Sequence, residues 1–386
     1  MRLRRFLTYL IILCVGLLAG HYLIGNTASP QIQPLAPVTA DTRISIPVAA
    51  VQPVNGLLEV HFIDVGQGDS IFIRASDGST ALIDGGNPNG LALAYLRSIG
   101  VTRINSVILT HPHADHVGGL VDVLKTLPVD AVWTSGASNT TSIFEQFIDT
   151  IAARRIPYHE AATGQSIAFG SLAFDVLYGV TDNNNLNDTS LVLRLQDGNI
   201  SFLFTGDAEA PTESILLKTK PDQLTATILK VGHHGSATSS SVAFLQAVHP
   251  AVAVYSAGVN NQYGHPNGGT IKRLTAVGAA IYGTDKYGTI TVTTDGKTYN
   301  VLTAHGAENV TVAATALPSP TLDLTTTLSS WQLAGLPYDP MGRDRNCSAF
   351  STHSEAQAFY IAAGGPEHDR HHLDGEHDGE ACESLP

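Results

Sequence analysis

The feature that most constrains this chain is a cluster of potential metal ligands in residues 109–119, which read LTHPHADHVGG. Three imidazoles and one carboxylate fall within six residues, at His111, His113, Asp115 and His116. A strand that turns into a helix here can direct the first pair at one point and the second pair at a point nearby. Imidazole and carboxylate suit zinc, manganese or iron(II). Four ligands cannot saturate two cations, so the pattern predicts that more ligands come from elsewhere.

Further candidate ligands stand at the ends of other apolar runs. They are Asp84 in ALIDGG, Asp188 in NLNDTS, Asp207 in FLFTGD, His233 and His234 in ILKVGHHG, and His265 in YGHP. Open sheets bind ligands along one edge, outside the carboxyl ends of their strands. We therefore expect these side chains to meet the first cluster at the edge of a sheet.

Composition supports a globular body with an acidic surface. Hydrophobic residues make up 43% of the 386 residues and charged residues 14%, as in folded soluble domains. The net charge of −13 argues against a protein held to nucleic acid by a basic surface. It leaves nucleic acid open as a substrate, because bound cations reverse the charge locally. Strand-like and helix-like runs alternate over 57–305, which predicts one domain of about 250 residues.

The two ends of this domain are flanked by segments of different character. Residues 1–26 begin MRLRR and continue into an apolar run, which predicts an N-terminal membrane anchor, with a cleaved signal peptide as the alternative. Residues 27–56 are Pro/Thr-rich and residues 306–340 are Thr/Pro/Ser-rich, and both are interpreted as linkers. The body is therefore predicted to be exported, either as an extracytoplasmic domain on the cell membrane or as a secreted protein.

An ordered set of phrases resembles the metallo-β-lactamase fold and, more narrowly, the hydrolase domain of ComEC-type competence proteins. The phrases span residues 57–300 and are FIDVGQGDS, LIDGG, LTHPHADHVGGL, TSLVLRL, LFTGD, LKVGHHGS, YGHP and TDKYGTI. The resemblance implies an α+β fold, a four-layer αββα sandwich. It also implies two divalent metal ions, zinc or manganese, in one cleft.

The resemblance also implies which residues bind the two metals. It gives His111 and His113 to the first metal, Asp115, His116 and His234 to the second, and Asp207 to both as a bridge. Many members of the family supply a further histidine to the first metal. Only His159 lies in the corresponding interval, without a strand end before it, so Asp188, Asn187 or water is expected in that place.

The implied mechanism uses the metals to prepare a nucleophile. Two adjacent cations lower the pKa of a bridging water, and the hydroxide attacks phosphorus or a carbonyl carbon. Asp115 is given a catalytic role beside its ligand role, and Asp84 is expected to orient a ligand histidine. His265 or His233 is expected to protonate the leaving group, or His265 to contact a substrate phosphate. The alternatives are structural: a turn-former for Asp84, a helper beside His234 for His233, and a helix-entry residue for His265.

The C-terminal tail, residues 341–386, carries a calcium-loop pattern. Alternating Asp374, Glu376 and Asp378 are followed by Gly379 and, later, Glu383. The tail resembles the Excalibur extracellular calcium-binding module, in which Glu380 would contribute its backbone carbonyl. The alternatives are a solvated acidic tail, or a metal scavenger that uses His368, His371, His372 and His377.

Two cysteines of this tail, Cys347 and Cys382, can pair in an oxidising compartment, and the alternative is two free thiols. The resemblance to the Excalibur module implies that they form a disulfide that ties the calcium loop to the start of the module. A module of this size has a small core, so such a tie would contribute much of its stability.

The favoured function is an exported dinuclear hydrolase that cleaves phosphodiesters, a nuclease acting on extracellular DNA. Its expected partners are DNA or another phosphodiester substrate, the membrane through the N-terminal anchor, and the cell envelope through the C-terminal module. One alternative is hydrolysis of a cell-wall phosphoester, a lactone or a β-lactam. The other is a catalytically inactive, calcium-dependent surface-binding protein.

Overall fold

The structure, a computed structural model, describes most of the chain from residue 56 onward. The described residues are 56–180, 185–305, 310–313, 336, 338–339, 342–363, 369–375, 381–382 and 384–385. The predicted anchor at 1–26 lies outside them. Within these ranges, none of the helices has the length and apolar character needed to cross a bilayer.

A first sheet of nine strands is built largely from the N-terminal half of the described chain. Its strands are β1 (Leu58–Phe62), β2 (Ile71–Arg74), β3 (Thr80–Ile83), β4 (Ile104–Leu109), β5 (Val129–Thr134), β6 (Tyr158–Glu160), β14 (Ile290–Thr294), β15 (Thr298–Thr303) and β16 (Val310–Ala313). Their spatial order is β16-β15-β14-β1-β2-β3-β4-β5-β6. The strands β3 to β6 run parallel to one another.

In the described part of the chain, a second sheet has seven strands, and neighbouring strands of this sheet are consecutive in the sequence. Its strands are β7 (Ser166–Phe169), β8 (Leu172–Tyr178), β9 (Val192–Asp197), β10 (Ile200–Phe204), β11 (Ile228–Lys230), β12 (Val252–Tyr255) and β13 (Ala280–Gly283). They lie in the order β13-β12-β11-β10-β9-β8-β7. Here β10 to β13 are the parallel strands.

Helices cover the outer faces of both sheets. They are α1 (Leu91–Ser98), α2 (Ala114–Thr126), α3 (Ser142–Arg154), α4 (Ala210–Thr219), α5 (Val242–Val248), α6 (Gly268–Ala276), α7 (Thr284–Tyr287) and, in the tail, α8 (His353–Ala362). Short 3₁₀ turns occur at Leu186–Thr189, Pro221–Gln223, Gly232–Gly235 and Cys347–Ala349.

Three apolar layers account for the stacking of sheets and helices. Between the sheets, Phe62 and Ile73 pack in one buried cluster with Phe174, Phe202 and Ile228. A second cluster joins the first sheet to α1, α2 and α3, and a third joins the second sheet to α4, α5 and α6. Full burial of each such side chain stabilises the fold by about 1.5–3 kcal/mol. The four-layer αββα arrangement implied by the resemblance is confirmed.

The topology places the candidate ligands where their strands end. Asp84 follows β3 and His111 follows β4, both in the parallel part of the first sheet. Asp207 follows β10 and His234 follows β11, both in the parallel part of the second sheet. Because the carboxyl ends of parallel strands share one edge, the two sheets present these residues along one rim of the sandwich.

One strand lies within the stretch that we interpreted as a linker. β16 (Val310–Ala313) pairs with β15 and adds an antiparallel edge strand to the first sheet. The physical reason is local: its VTVA sequence alternates β-branched residues, which fit a pleated edge. The Thr, Ala and Pro content of the surrounding residues hid this short signal.

The C-terminal tail has its own small core. Phe350, Phe359, Tyr360 and Leu373 are buried together around α8. The structure joins Cys347 to Cys382 in a disulfide, so the expected pairing is formed. The disulfide closes a loop across 35 positions of sequence, and closing a loop of that length removes conformational freedom from the unfolded chain.

Candidate metal centre

Four side chains from three strand ends bring their ligand atoms to within ordinary coordination spacing. Asp207 Oδ2 lies 3.2 Å from His116 Nε2 and 3.3 Å from His234 Nε2. Asp115 Oδ2 lies 3.3 Å from the same His234 nitrogen. Ligand atoms that surround one cation at about 2.0–2.2 Å must lie about 3.0–3.5 Å apart. The spacing of Asp207, His116 and His234 therefore fits a single cation, and Asp115 adjoins this group through His234. The buried Asp69 also brings a ligand atom to within 4.8 Å of ligand atoms of His116, Asp207 and His234.

The remaining two histidines of the opening cluster form an adjoining set. His111 Nε2 lies 3.0 Å from His113 Nδ1 and 3.8 Å from Asp207 Oδ2. The carboxylate of Asp207 is therefore shared between two groups of imidazoles. The resemblance implied such a grouping, with one pair on each side of a common carboxylate, and the assignment of two metals to it stays a prediction.

Buried atoms without partners show that the donor set suits a cation. Among the described residues, no hydrogen bond reaches His116 Nε2, His234 Nε2 or Asp207 Oδ1. Each of these side chains is at most 3% exposed. An unpaired polar atom in such surroundings costs about 1–3 kcal/mol. A divalent cation would satisfy several of these atoms at once, and the nitrogen and oxygen donors are ones that zinc and manganese accept.

The charges of the centre are strongly coupled. Burial and the charge of His116 lower the pKa of His111 well below its usual value, and burial also lowers the pKa of His113. Burial also lowers the pKa of His116 and of His234, but the neighbouring carboxylates together outweigh it: Asp207 acts on both rings, Asp84 on His116 and Asp69 on His234. Both pKa values are therefore raised well above the ordinary range. A cation would compete with those protons, since imidazole binds metal in its neutral form.

Asp84 fixes the orientation of His116 from behind. Its Oδ2 lies 2.8 Å from His116 Nδ1, and it accepts hydrogen bonds from the Thr110 backbone N–H and hydroxyl at 2.8 and 2.7 Å. A carboxylate on one ring nitrogen sets which nitrogen is free for a metal. Asp84 therefore turns His116 Nε2 toward Asp207, in the orienting position that we expected for it.

Two glycine contacts bring this carboxylate and the ligand helix together. A Cβ on Gly119 of α2 would lie 2.0 Å from the Gly85 carbonyl oxygen, and a Cβ on Gly68 would lie 2.2 Å from the Asp115 carbonyl oxygen. Gly68 also has a φ of +122°, which side chains rarely adopt. The loop after β3 and the loop at residues 66–69 can pack on the start of α2 only because both positions lack side chains.

His234 is oriented by a second carboxylate that the sequence analysis missed. His234 Nδ1 lies 3.0 Å from the Ser256 carbonyl oxygen and 3.3 Å from Asp69 Oδ1. Asp69 in turn forms an ion pair with Lys230 at 2.5 Å, and both side chains are almost fully buried. The signal was present in LKVGHHG: a lysine at the end of a fully apolar strand needs a buried partner, because an unpaired buried charge is very costly.

The backbone at His233 and His234 is unusual. Both residues have left-handed conformations, with φ values of 47° and 55°. Two consecutive non-glycine residues in this region are rare, and such strain gathers at functional sites. The turn sends His234 into the core of the centre and leaves His233 closer to solvent, with 22% of its side chain exposed.

His233 and His265 lie at the open side of the centre. His233 Nε2 is 3.9 Å from Asp207 Oδ2, and its Nδ1 is held by Glu209 Oε1 at 2.9 Å. The ring of His265 lies 5.4 Å from that of His233. Burial and the charges of His234 and His233 lower the pKa of His265 to about 4. His265 is therefore neutral at physiological pH, which favours His233 over His265 as a proton donor.

Asp188 does not take the position that we expected. Its Oδ1 accepts hydrogen bonds from the Glu209 backbone N–H at 3.1 Å and the Thr212 hydroxyl at 2.7 Å, at the start of α4. We correct its predicted ligand role to that of a helix-start acceptor. The neighbour of His111 is instead Ser190, whose Oγ is 3.3 Å from His111 Nδ1 and accepts the Asp207 backbone N–H at 3.0 Å.

Two other residues considered for the same place are also engaged elsewhere. Asn187 donates its side-chain N–H to Glu209 Oε1 at 3.0 Å. His159 stacks on Trp133 with ring centroids 4.4 Å apart. The signal for Ser190 was the phrase TSLVLRL, in which a serine lies two residues before the start of β9, the strand next to β10.

One of the five predicted calcium residues, Asp374, lies within the described residues. Asp374 is buried and accepts a hydrogen bond from the Tyr360 hydroxyl at 2.9 Å. The other four predicted calcium residues, Glu376, Asp378, Glu380 and Glu383, lie outside the described residues, as do His368 and His377. His371 Nδ1 lies 3.4 Å from Asp344 Oδ1.

Comparison with known proteins adds a family context to this geometry. A family model described as "Metallo-beta-lactamase superfamily" matches residues 63–259, and one described as "Excalibur calcium-binding domain" matches residues 344–383. ComE operon protein 3 of Bacillus subtilis (strain 168) is 31% identical over 252 residues, which cover 60% of this chain and 32% of that protein.

Two further comparisons cover similar shares of the chain. Competence protein ComA of Neisseria gonorrhoeae is 30% identical over 235 residues, covering 59% of this chain and 31% of that protein. The solved metallo-beta-lactamase fold protein YhfI of Bacillus subtilis matches 59% of this chain and 95% of its own, at 15% identity and a TM-score of 0.41. The chain spans about a third of the length of these two curated relatives.

Proposed function

The chain belongs to the metallo-beta-lactamase superfamily, and from that premise we propose that it is an exported two-metal phosphodiesterase that acts on DNA. The observation that carries the proposal is the convergence of unpaired ligand atoms on Asp207. His116 and His234 approach this carboxylate at 3.2 and 3.3 Å, and His111 approaches it at 3.8 Å. A hydrolytic centre needs such a donor set, because catalytic cations must be held while positions remain open for substrate.

The ligands are proposed to divide as the geometry groups them. His111 and His113 would hold one cation, and Asp115, His116 and His234 would hold the other, with Asp207 available to both. When bound, such cations make water acidic enough to supply a nucleophile near neutral pH and offset negative charge on phosphoryl oxygens. Either zinc or manganese suits these donors.

Other residues of the chain would orient the ligand histidines and protonate the leaving group. Asp84 holds His116, and the Asp69–Lys230 pair holds His234, so both imidazoles keep one direction. His233 lies at the open side with Glu209 on its far nitrogen. We propose that His233 delivers a proton to the leaving oxygen, since a carboxylate on Nδ1 leaves Nε2 as the nitrogen that faces substrate.

DNA is proposed as the substrate because of the relatives. A competence protein and a ComE operon protein share about 30% identity with this chain, over 235 and 252 residues. The match covers the domain and not those proteins' full length, so transport across a membrane is not part of the proposal. The acidic net charge of −13 is compatible with a DNA substrate because the cations supply local positive charge.

Location and calcium binding complete the proposal. We propose that residues 1–26 anchor the chain in the cell membrane with the hydrolase on the outer side, and that the tail binds calcium and contacts the cell envelope. The matched Excalibur calcium-binding domain and the disulfide between Cys347 and Cys382 support this placement, since disulfides persist in oxidising compartments.

The direct test is cleavage by the full chain, loaded with Mn²⁺ or Zn²⁺, of plasmid DNA and of bis-p-nitrophenyl phosphate. We expect both substrates to be cleaved and both activities to be lost in Asp207→Asn. Asp197→Asn is the matched control, because Asp197 is the last residue of β9 and Ser190 lies before the first. Hydrolysis of a lactone or β-lactam without any phosphodiester cleavage would contradict the proposal.

A further inference from the structure

A cavity of about 470 Å³ opens beside the proposed metal centre. It is lined by Gln67, Asn87, Asp115 and the segment 260–263. Asp115 belongs to both the cavity wall and the ligand set, so whatever fills the cavity lies next to the group that reacts. The cavity is therefore a place for the part of a substrate that flanks the scissile bond.

The chemistry of the wall is amide and aromatic. Gln67, Asn87, Asn260, Asn261 and Gln262 all carry side-chain amides, and no Lys or Arg occurs among the described residues that line the cavity. Without cationic residues, the wall is not suited to hold a phosphate. Amides offer donors and acceptors together, which suits an uncharged group that also carries both. The edges of nucleobases have this pattern, and Asn and Gln pair with them.

One side of the wall is fixed in advance. The Asn261 side chain donates to the carbonyl oxygens of Gly258 and His265 at 2.9 and 2.6 Å, and it accepts from the backbone N–H groups of Tyr263 and His265 at 3.1 Å each. Gly258 also donates its N–H to Gln67 Oε1 at 3.2 Å. A loop held this firmly loses little conformational entropy when a ligand binds.

The same loop leaves other polar groups available. In the described part of the chain, no hydrogen bond involves the side-chain amides of Asn260 or Gln262, or the Tyr263 hydroxyl. Asn261 therefore shapes the loop, while its neighbours on either side present free donors and acceptors to the cavity. The loop therefore has one amide that holds its backbone and two amides that can contact a ligand.

An exposed aromatic ring completes the cavity. Tyr263 is 60% exposed, and one face of its ring stacks at 25° on His265 with centroids 5.8 Å apart. The second face of the Tyr263 ring is open to another planar group, and aromatic rings attract one another in offset-stacked pairs. Stacking of a nucleobase on an aromatic side chain contributes about 1–3 kcal/mol per base.

We propose that this cavity is a nucleobase subsite, in which a base next to the scissile phosphodiester stacks on Tyr263 while the amides of Asn260 and Gln262 contact its edge. The inference rests on the phosphodiesterase function proposed above and names its substrate more narrowly, as nucleic acid in which the base beside the scissile bond is single-stranded or is extruded from the duplex. A base inside a duplex is already stacked on its neighbours and cannot enter a side-wall cavity without being extruded.

The first part of the test compares two esters with the same leaving group. Thymidine 5′-(p-nitrophenyl phosphate) carries a base, and methyl p-nitrophenyl phosphate does not. With the full chain loaded with Mn²⁺, Tyr263→Ala is expected to raise KM for the thymidine ester at least about fivefold and to leave the methyl ester within about twofold. Tyr263→Phe keeps the stacking ring and is expected to behave as the wild type.

The matched control is Tyr158→Ala, because Tyr158 is also an exposed tyrosine, at 39%, and lines a separate cavity with Trp133 and His159. It should change neither KM. A rise in KM for both esters in Tyr263→Ala would show a general defect of the centre and overturn the subsite. An unchanged KM for both esters would overturn it as well.

The second part of the test does not depend on turnover. Fluorescence anisotropy measures the Kd of the full chain for a single-stranded DNA octanucleotide and for the same strand with central abasic sites. We expect the intact strand to bind at least about fivefold more tightly, and Tyr263→Ala to abolish that difference. If neither ester is hydrolysed, the proposed function fails, and this measurement alone decides the subsite. Equal binding of both strands would mean that the cavity binds a sugar or another group, and would refute the nucleobase subsite.

Discussion

At the scale of single residues, two buried imidazoles of the centre, those of His116 and His234, each have a carboxylate on the Nδ1 side of the ring. Asp84 contacts His116 Nδ1 at 2.8 Å, and Asp69 contacts His234 Nδ1 at 3.3 Å. Asp84 contacts His116 on the ring nitrogen opposite to the one beside Asp207, so it acts on a metal through the ring that it orients. Asp69 also brings a ligand atom to within 4.8 Å of ligand atoms of His116, Asp207 and His234. Such outer partners typically change metal affinity by about 10- to 100-fold.

Asp84→Asn tests this dependence. Asn tolerates the left-handed backbone at this position, where φ is 56°, so the fold should be retained. Because an amide no longer offers a charged acceptor to His116, we expect zinc or manganese affinity to fall about 10- to 100-fold, as measured by competition with a chromophoric chelator. Asp77→Asn, at an exposed turn, is the control. Unchanged affinity in Asp84→Asn would refute the orienting role.

Lys230→Met tests the buried ion pair. The substitution keeps the length of the side chain but removes the lysine partner of Asp69, which leaves an almost fully buried carboxylate beside the His234 imidazole at 3.3 Å. We expect a loss of about 3–5 kcal/mol in the free energy of unfolding, measured by urea denaturation. The double variant Lys230→Met/Asp69→Leu removes both charges and should recover most of the loss. If the single variant were as stable as the wild type, the ion pair would not contribute to the free energy of unfolding.

His265→Gln tests which histidine titrates during turnover. The pKa of His265 is lowered to about 4, and bound cations would lower it further. The neutral form therefore dominates throughout pH 5–8, and loss of this residue should leave the shape of the pH–rate profile unchanged in that range while reducing kcat/KM. Disappearance of an alkaline limb in His265→Gln would show that His265, not His233, provides the proton.

At the scale of elements, the centre is assembled by close packing between α2 and the loop after β3. Gly119 and Gly85 approach so closely that a Cβ on Gly119 would lie 2.0 Å from a carbonyl oxygen. This contact sets the distance between the helix that carries His116 and the loop that carries Asp84. The VGG that follows HPHADH is thus part of the site, although its residues have no functional groups.

Gly119→Ala is expected to destabilise the fold by about 1–3 kcal/mol, because the added methyl group meets backbone and not a flexible side chain. Chemical denaturation measures the change, and a fall in metal affinity should accompany it. Gly268→Ala is the matched control, since Gly268 begins α6, has nothing within 4 Å of an added Cβ and has no positive φ. Equal stability of both variants would contradict the packing argument.

The sequence predicted those elements whose signals are local. Strand ends that carry His111, Asp207 and His234 were visible because an apolar run stops at a ligand type. Asp69 was missed because its role depends on Lys230, a partner 161 positions away that only the fold brings near. Asp188 was misplaced because sequence spacing does not reveal that a helix start, at Glu209 and Thr212, binds its carboxylate.

At the scale of the whole molecule, the two sheets each contribute one half of the centre. The first sheet provides His111 to His116 and the second provides Asp207 and His234, so the complete ligand set exists only when both sheets pack. Folding and metal binding should therefore be thermodynamically linked. The resemblance predicted the molecule at this scale, because it implied the four-layer sandwich and the order of its motifs. It did not predict the individual contacts.

The central claim is that Asp207 joins two cation sites, and metal stoichiometry tests it most directly. The full chain would be dialysed against Mn²⁺ in a large excess of Ca²⁺, which keeps the C-terminal module occupied by calcium, and bound manganese would be counted by elemental analysis. We predict two manganese ions per chain in the wild type and in Asp197→Asn, and fewer than one in Asp207→Asn. A wild-type chain that binds no manganese or zinc, or an Asp207→Asn chain that still binds two, would contradict the account.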